Sequence, residues 1–313
     1  MKVVIVSGPT ASGKTDISIE LARNFGGEIV NFDSLLLYKE ITIGTAKPTP
    51  IEQGEIPHHM IDVASISHPM NAAAYAKMAL PIINQLHADH KLVYLVGGSG
   101  FYLQALLHGM YDSPTTPQEI LERSERLYQE EGIKPFLEIL RKKDLATLNR
   151  YHENDHYRVR RAVEHFWNTG IPLSLERQRK DNENELIQQS NFHGWKTHHI
   201  HLDIPKEEHI GIIKKRTEKM MTLGLIQEVQ DLLKQGFTGV EKPLQSIGYK
   251  EVFELQRGLI KNENECIEKI IISTRQLAKS QRTWFNRITG KQTFHPLLEK
   301  NLILNALRDF SHL

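Results

Sequence analysis

The sequence predicts an α/β protein, a parallel sheet flanked by helices with a helical unit inserted into it. A continuous β-branched run at 3–6 and predicted strands at 28–32 and 91–96 alternate with segments of helical periodicity at 15–25 and 70–86. Each run ends in a glycine-rich or polar turn, as buried strands of an open parallel sheet do. From 118 to about 189 the pattern is instead that of charged helices with few β-branched residues. We therefore expect an α/β core of 1–112 plus 199–313 and a helical insertion over 113–198.

Bulk composition limits where the protein works and what it can bind. The 313 residues are 40% hydrophobic and 25% charged, an ordinary globular composition. The formal net charge is only +1, so any binding of nucleic acid has to rely on local basic patches. The first apolar run is about five residues, too short for a signal peptide, and no stretch approaches the roughly 20 apolar residues that span a bilayer. With a single cysteine, Cys266, these features predict a cytoplasmic protein without a membrane segment.

The first strand runs into a phosphate-binding motif. Residues 8–15, GPTASGKT, match G-x-x-x-x-G-K-[ST] between a predicted strand and a predicted helix. In such a P-loop the backbone N–H groups point into an anion-sized nest, the lysine adds a positive charge, and the last hydroxyl is the usual Mg²⁺ ligand. The motif predicts a P-loop NTPase-like sheet and a substrate that carries a di- or triphosphate. The predicted phosphate-binding residues are Gly8, Pro9, Thr10, Ala11, Ser12, Gly13, Lys14 and Thr15, with Thr15 as the magnesium ligand.

One carboxylate follows a neighbouring strand. P-loop kinases and NTPases usually place an aspartate at the end of a later strand, but the run at 91–96 is followed by Gly97-Gly98-Ser99-Gly100. The nearest acid at a strand end is Asp33, which is suited to accept a proton from an incoming nucleophile. Taken alone, Asp33 fits the N-cap of a following helix equally well.

Seven segments, in order, resemble the tRNA dimethylallyltransferases, also called tRNA isopentenyltransferases. They are GPTASGKT (8–15), DSLLLYK (33–39), IGTAKP (43–48), IPHHMID (56–62), GGSGFY (97–102), QSIGYKE (245–251) and TRQLAKSQRTWF (274–285). The resemblance implies transfer of the dimethylallyl group from dimethylallyl diphosphate to N6 of the adenosine 3′-adjacent to a tRNA anticodon, with release of diphosphate. It also implies Mg²⁺ as cofactor, the anticodon stem-loop of tRNA as partner, and a monomer.

The same resemblance implies roles for individual residues. Asp33 would accept a hydrogen bond or proton from N6, and Thr10 and Arg216 would stabilise the departing diphosphate together with the P-loop. The residues that would touch tRNA fall in two groups, one in the core and one in the insertion. They are Asp33, Ser34, Leu35, Leu36, Ser99, Gln245, Ser246, Ile247, Gly248, Tyr249 and Lys250 in the first group, and Tyr157, Arg158, Val159, Arg160 and Arg161 in the second.

The carboxyl-terminal part carries local positive charge. Between 269 and 298 there are six lysines or arginines and no acidic residue. Arg275, Lys279 and Arg282 follow an i, i+4, i+7 pattern on one helical face, and we expect them to contact tRNA phosphates. A basic stripe by itself is more often only a solvated face. Leu277 and Trp284 lie on another face, which we expect to be buried.

The chain departs from the family pattern at five positions. Leu36 replaces a glutamine that helps to read bases around the target, and Ser99 replaces a threonine but keeps the hydroxyl. Ile212 replaces an arginine, and Ser280 and Arg282 stand where a basic residue and a leucine are common.

Three other functions stay open on the residues alone. A P-loop kinase of small molecules would use ATP, and an adenylate isopentenyltransferase would use the same donor with a free nucleotide as acceptor. Neither requires a basic carboxyl-terminal helix or a long insertion. A non-catalytic RNA-binding module requires neither an intact P-loop lysine nor Asp33. Metal binding by the sixteen histidines is not expected, since His58-His59 and the group at 198–201 lack zinc-ligand spacing.

Overall fold

The computed structural model describes residues 2–54, 56–109, 116–186 and 194–312. The chain divides into two compact units, Met1–Met110 with Asn191–Leu313, and Tyr111–Ser190. Most of the predicted connector at 112–117 lies outside the described residues. In the part of the chain that is described, no helix has both the length and the apolar character needed to cross a membrane.

The first unit contains a six-stranded sheet. Every pair of neighbouring strands is parallel, in the order β3-β2-β4-β1-β5-β6, which confirms the predicted parallel α/β sheet. β5 is in register with β1 from Lys196 onward, so the predicted end of the insertion at 198 falls inside a strand. The strands are β1 (Lys2–Ser7), β2 (Glu28–Asn31), β3 (His58–His59), β4 (Val93–Gly97), β5 (Lys196–Leu202) and β6 (Gln292–Phe294).

Both faces of the sheet are covered, which explains the continuous apolar runs of the central strands. In β1, Val3 and Ile5 belong to the core on one face, and Val4 and Val6 to the core on the other. All four side chains are at most 4% exposed. Because successive side chains of a strand point to opposite faces, a strand buried on both sides shows no polar alternation.

Helices supply the apolar side chains of both cores. Ile17 and Leu21 of the first helix pack on one face together with Leu307 near the carboxyl terminus, and Tyr75 and Ile83 of the third helix pack on the other. The helices of this unit are α1 (Lys14–Phe25), α2 (Pro50–Gln53), α3 (Ala72–Ala88), α4 (Gly100–His108), α10 (Lys206–Thr222), α11 (Leu225–Lys234), a 3₁₀ helix (Lys242–Gln245), α12 (Tyr249–Gln256), α13 (Glu263–Phe285) and α14 (Lys300–His312).

The second unit is helical and has its own core. Phe136, Leu140 and Val163 are buried in it, and the guanidinium of Arg123 lies 4.1 Å from the ring centroid of Trp167. Its five helices all lie within the stretch from 118 to about 189 that was predicted to be helical. The helices are α5 (Gln118–Glu131), α6 (Lys134–Lys143), α7 (Leu145–Arg150), α8 (His156–Thr169) and α9 (Leu173–Leu186).

Candidate active site

The P-loop connects β1 to α1 and leaves the start of that helix open to an anion. Gly13 precedes α1 with φ 74°, a left-handed conformation, and no side chain caps the first N–H groups of the helix. Ala11 also has a positive φ, 60°, which strains a residue with a Cβ. Gly8 is required by close approach, since a Cβ there would lie 2.5 Å from the carbonyl oxygen of Leu202. The backbone is thus shaped to present free N–H groups at the amino end of a helix dipole.

These N–H groups border a cavity of about 520 Å³, the P-loop cavity. Besides residues 10–18, its walls come from the ends of the neighbouring strands, the loop around Thr45, helix α10 and the carboxyl-terminal segment at 296–300. The side chains outside the P-loop that bear on its chemistry are Asp33, Leu36, Thr45, Arg216, Pro296, Leu297 and Lys300.

Two cations dominate the charge of this cavity. Lys14 keeps some solvent access, but the protein packed around its ammonium lowers the pKa of Lys14 to about 8; the charge of Asp33 opposes the shift and that of Arg216 adds to it. Burial likewise lowers the pKa of Arg216, again opposed by Asp33. Lys14 Nζ donates to the carbonyl oxygen of Pro9 at 2.8 Å, and Arg216 Nη2 approaches the carbonyl oxygen of Thr45 at 3.4 Å. Two desolvated positive groups beside one carboxylate favour binding of a polyanion.

Asp33 is held at the end of β2 by a turn rather than a helix cap. Its backbone N–H donates to Asn31 Oδ1 at 2.8 Å, and its own Oδ1 accepts from the N–H of Leu35 at 3.2 Å. Asn31 Nδ2 in turn donates to the carbonyl oxygens of Asp33 and Met60. Residues 34–40 form turns, so the alternative reading of Asp33 as a helix N-cap is wrong. One oxygen of the carboxylate is thus held in the turn, and the side chain lines the P-loop cavity.

A second cavity, of about 560 Å³, is also lined by Asp33. It shares Thr10, Asp33, Thr45 and Arg216 with the P-loop cavity. The Ser99 hydroxyl lies in its wall and accepts from the N–H of Ser34 at 3.1 Å. This wall contains most of the core residues predicted to touch tRNA, namely Asp33, Ser34, Leu35, Ser99, Gln245, Ser246, Ile247 and Gly248, whereas Leu36 lines the P-loop cavity.

Four of the seven segments pack closely against one another around these cavities, those at 43–48, 97–102, 245–251 and 274–285. A Cβ on Gly98 would lie 2.6 Å from Gln281 Nε2, and one on Gly100 would lie 2.2 Å from the ring of Trp284. The glycine-rich turn after β4 is therefore the surface on which α13 rests. In the same way, a Cβ on Gly44 would lie 2.5 Å from the ring of Tyr249.

One carboxylate that the sequence analysis did not single out holds the loop at 42–45. Glu228 Oε1 accepts from the N–H groups of Thr42 and Ile43 at 2.7 and 2.9 Å. Its Oε2 accepts from the N–H of Gly44 at 3.2 Å and from the hydroxyl of Tyr249 at 2.6 Å. Since Gly44 and Thr45 line the second cavity, Glu228 fixes part of its wall. Tyr249 is fully buried in this arrangement, so the prediction of a tRNA contact is wrong for its side chain.

Removing the Glu228 carboxylate should be costly. We expect Glu228→Ala to lower the free energy of unfolding by about 2–4 kcal/mol, because it leaves the N–H groups of Thr42 and Ile43 and the buried phenol of Tyr249 without their acceptor. Urea denaturation followed by circular dichroism measures the change. Glu218→Ala is the matched control, because Glu218 is exposed on α10 and lies 4.0 Å from Lys214, an ion pair worth under about 1 kcal/mol. Equal losses in the two variants would contradict the role given to Glu228.

The basic stripe of α13 does not face either of these cavities. The side chains of Thr274, Leu277 and Trp284 line the second cavity, and Leu277 is 40% exposed there, so the prediction that Leu277 is buried is wrong. The stripe of Arg275, Lys279 and Arg282 lines a third cavity instead. Because an α-helix has 3.6 residues per turn, the residues that line the second cavity and those of the basic stripe lie on opposite sides of α13.

Arg282 is in addition turned inward. Its Nε donates to Asp203 Oδ1 at 2.7 Å, and its Nη2 donates to the carbonyl oxygen of Ile204 at 2.9 Å and to His209 Nδ1 at 2.7 Å. With Nε and Nη2 bonded within the protein, Arg282 serves as a structural cation, and its geometry does not support the prediction that it contacts tRNA.

The predicted tRNA-binding segment of the helical unit is the start of α8. Val159 is fully buried, so the prediction is wrong for its side chain. The three arginines each contact a carboxylate, Arg158 with Asp155, Arg160 with Glu125 and Arg161 with Glu164, at 2.7–2.8 Å. Tyr157, by contrast, is 67% exposed. Of this segment, Tyr157, Arg158 and Arg161 are exposed and have the surface access that a partner requires.

Comparison with known proteins agrees with the geometry. A model of the IPP transferase family matches residues 36–288 of this chain. A tRNA dimethylallyltransferase of Desulfosudis oleivorans is 39% identical over 284 residues, which cover 91% of this chain and 88% of that protein. A tRNA dimethylallyltransferase of Syntrophobacter fumaroxidans is 38% identical over 312 residues, covering 99% and 88%.

Solved structures show the same relationship. A tRNA isopentenylpyrophosphate transferase of Staphylococcus epidermidis gives a TM-score of 0.69 at 31% identity, covering 99% of this chain and 98% of that one. A eukaryotic dimethylallyltransferase, described in snapshots of its action on tRNA, gives a TM-score of 0.78 at 27% identity, covering 99% and 79%. Because the family model spans more than half of the chain and the relatives exceed 30% identity over nearly all of it, the chain belongs to the IPP transferase family.

Proposed function

We propose that this chain transfers the dimethylallyl group of dimethylallyl diphosphate to tRNA, at N6 of the adenosine 3′-adjacent to the anticodon, and releases diphosphate. Transfer of a dimethylallyl group to tRNA is what the names of its relatives state for those proteins. The main observation in support of the proposal is that two cavities share part of their lining, including Asp33 and Arg216. The P-loop lines the first cavity, where it would bind the diphosphate, and the second cavity is open to a second substrate.

The shared residues have the chemistry that this reaction needs. N6 attacks C1 of the dimethylallyl group, and the C1–O bond breaks with its electron pair going to the diphosphate. Asp33, which lines both cavities, accepts the proton that N6 loses. Negative charge grows on the diphosphate as the bond breaks, and Lys14, Arg216, Thr10 and the free N–H groups of the P-loop stabilise it. The P-loop in this proposal binds a leaving group, and no phosphoryl group moves.

The residues of the P-loop cavity fit a magnesium ion that is held mainly by the substrate. Thr15 lines the cavity next to Lys14, and its hydroxyl would be the protein ligand. Among the described residues there is no group of three or more His, Cys, Asp or Glu side chains that could hold a metal by itself. Mg²⁺ commonly retains several waters and is bound through one or two protein groups plus phosphate oxygens. When bound, it would neutralise charge on the leaving diphosphate.

The second cavity is the proposed site of the adenine. A base stacked in the anticodon loop has to be turned out to reach Asp33. Ser34, Ser99 and the segment at 245–248 line this cavity and would contact the extruded nucleotide. Leu36 contributes an apolar group to the neighbouring cavity, where the family has glutamine. The other proposed phosphate or base contacts are Tyr157, Arg158, Arg160, Arg161, Lys250, Arg275 and Lys279. A cytoplasmic monomer remains the expected state.

The test is to incubate the purified protein with tRNA, dimethylallyl diphosphate and Mg²⁺ in the absence of ATP, and to analyse the tRNA nucleosides by mass spectrometry. One dimethylallyl group on the adenosine 3′ of the anticodon is the expected result. Prenylation of free AMP without modification of tRNA would favour an adenylate isopentenyltransferase. Hydrolysis of ATP with small acceptors, without any prenyl transfer, would contradict the proposal.

Affinity for the donor should depend on pH through Lys14. The lowered pKa of about 8 means that the ammonium is charged below this pH and neutral above it in the free protein. Because a diphosphate binds best to the charged form, the dissociation constant should rise only about twofold between pH 7 and 8. It should then rise by up to about tenfold per pH unit.

Calorimetry of donor binding in buffers of different ionisation enthalpy measures both the affinity and the proton uptake. Lys14→Met should remove the break near pH 8. Lys300→Met is the control, because Lys300 lines the same cavity but pairs with Glu20 at 2.7 Å, and this variant should keep the break. A pH profile that is the same in all three proteins would exclude Lys14 as the source.

A further inference from the structure

Both backbone groups of Thr10 are held by side chains from outside the P-loop. The N–H of Thr10 donates to Gln281 Oε1 of α13 at 2.7 Å. The carbonyl oxygen of Thr10 accepts from His209 Nε2 of α10 at 2.8 Å. This residue therefore does not offer its N–H to an anion, as the following residues of the loop can. Its side chain is instead directed by two hydrogen bonds, at the point where the P-loop cavity and the second cavity meet.

Gln281 joins two strand ends. While its Oε1 accepts from Thr10, its Nε2 donates to the carbonyl oxygen of Gly98 at 3.0 Å. Thr10 follows β1 and Gly98 follows β4, and these strands are neighbours in the sheet. A single amide therefore sets the separation between the P-loop and the turn that carries Ser99. No shorter side chain could make both contacts, and no apolar side chain could make either.

The contact with Arg282 determines which ring nitrogen of His209 carries the hydrogen. Arg282 has only N–H donors, and its Nη2 lies 2.7 Å from His209 Nδ1, so Nδ1 has to accept. The hydrogen of the neutral ring is then on Nε2, which is the atom that reaches Thr10. Burial lowers the pKa of His209, in agreement with a neutral ring. Asp203 and the carbonyl oxygen of Ile204 hold the guanidinium in place.

We propose that Gln281 is a positioning residue for group transfer, and that His209, oriented by Arg282, shares this role. The two side chains act through Thr10, whose hydroxyl they aim at the reacting bond between the two cavities. The inference rests on the proposed function, because it assigns these residues to the same transfer step. It also gives Arg282 a role at the P-loop in place of a contact with tRNA.

The test is a kinetic comparison of Gln281→Leu with wild type. We expect kcat for prenyl transfer to tRNA to fall about 10- to 100-fold, with the KM values for both substrates within about threefold. Gln276→Leu is the matched control on the same helix, because Gln276 is exposed on the side of the third cavity, and its kcat should stay within twofold. His209→Leu should also lower kcat, and His209→Gln should recover part of the loss, because its amide retains an N–H donor.

A double-mutant comparison separates positioning from general damage. If Gln281 acts through the Thr10 hydroxyl, Gln281→Leu should lower kcat by less than about threefold in a Thr10→Ala background. The same fold loss in both backgrounds would overturn the inference, as would an unchanged kcat in Gln281→Leu when the wild type is active. If Gln281→Leu does not fold, His209→Leu carries the same comparison. An inactive wild type would count against the proposed function itself.

Discussion

Replacing Asp33 with asparagine should lower kcat for prenyl transfer by about 10³-fold while leaving donor affinity within about threefold. The expected loss is that of a general base, for which 10²–10⁴ is typical. Asparagine has the shape of aspartate, and its Oδ1 can still accept the hydrogen bond from the N–H of Leu35, so the turn should stay intact. What is lost is the ability to take the proton from N6. Single-turnover kinetics with excess enzyme measure the chemical step, and calorimetry measures donor binding.

Asp16→Asn is the matched control for this experiment. Asp16 also lines the P-loop cavity, but it lies on the exposed first turn of α1 and does not line the second cavity. Removing its charge should change kcat by less than about threefold. If the two variants lose activity equally, the loss comes from the overall charge of the cavity, and Asp33 is not the proton acceptor.

The fold could be predicted because the signals that define it are local. β1 and β4 are mostly apolar runs followed by glycine-containing turns, a pattern with few alternatives to a buried parallel strand, and β2 has Ile29 and Val30 between two polar residues. β3 and β6, for which the sequence shows no strand signal, are two and three residues long. Their pairing depends on tertiary contacts with β2 and β5, and so few residues show no periodicity.

The chemical residues of the site were predictable for a different reason. A P-loop has a fixed spacing that follows from its backbone geometry, and Asp33 stands at the end of a recognisable strand. The supporting residues have no such local pattern. Glu228 and Gln281 lie 184 and 271 residues from the atoms that they hold, and each lies in an ordinary helical sequence. The glycines at 44 and 98 were the available signals, because each marks a place where another side chain approaches the backbone closely.

The basic stripe shows where periodicity misleads. The i, i+4, i+7 spacing correctly placed Arg275, Lys279 and Arg282 on one face of a helix. The spacing does not predict what this face packs against. In the structure the face lines the third cavity, together with residues of α10 and the segment around β6. Charge patterning establishes that residues share a surface, while the partner of that surface is decided by the packing of the rest of the chain.

Replacing Arg216 with alanine should lower kcat/KM for dimethylallyl diphosphate by about 10²- to 10³-fold, with the KM for tRNA within about threefold. Arg216 lines both cavities. We expect its guanidinium to donate hydrogen bonds to the diphosphate, on which negative charge develops as it leaves. Loss of one such donor typically costs about 3–4 kcal/mol in the transition state. Arg216→Lys should recover only part of the loss, because an ammonium is a compact charge without the planar fork of a guanidinium.

Lys215→Ala is the matched control for Arg216→Ala. Lys215 is the preceding residue of α10 and is exposed, so Lys215→Ala removes the same charge from the protein without touching either cavity. We expect its kcat/KM to stay within about threefold of wild type, since a solvent-exposed charge is screened by salt. If Arg216→Ala weakens tRNA and donor equally, Arg216 serves the acceptor as much as the leaving group. In that case Lys14 would be the principal cation for the diphosphate, and Arg216 would contact both substrates.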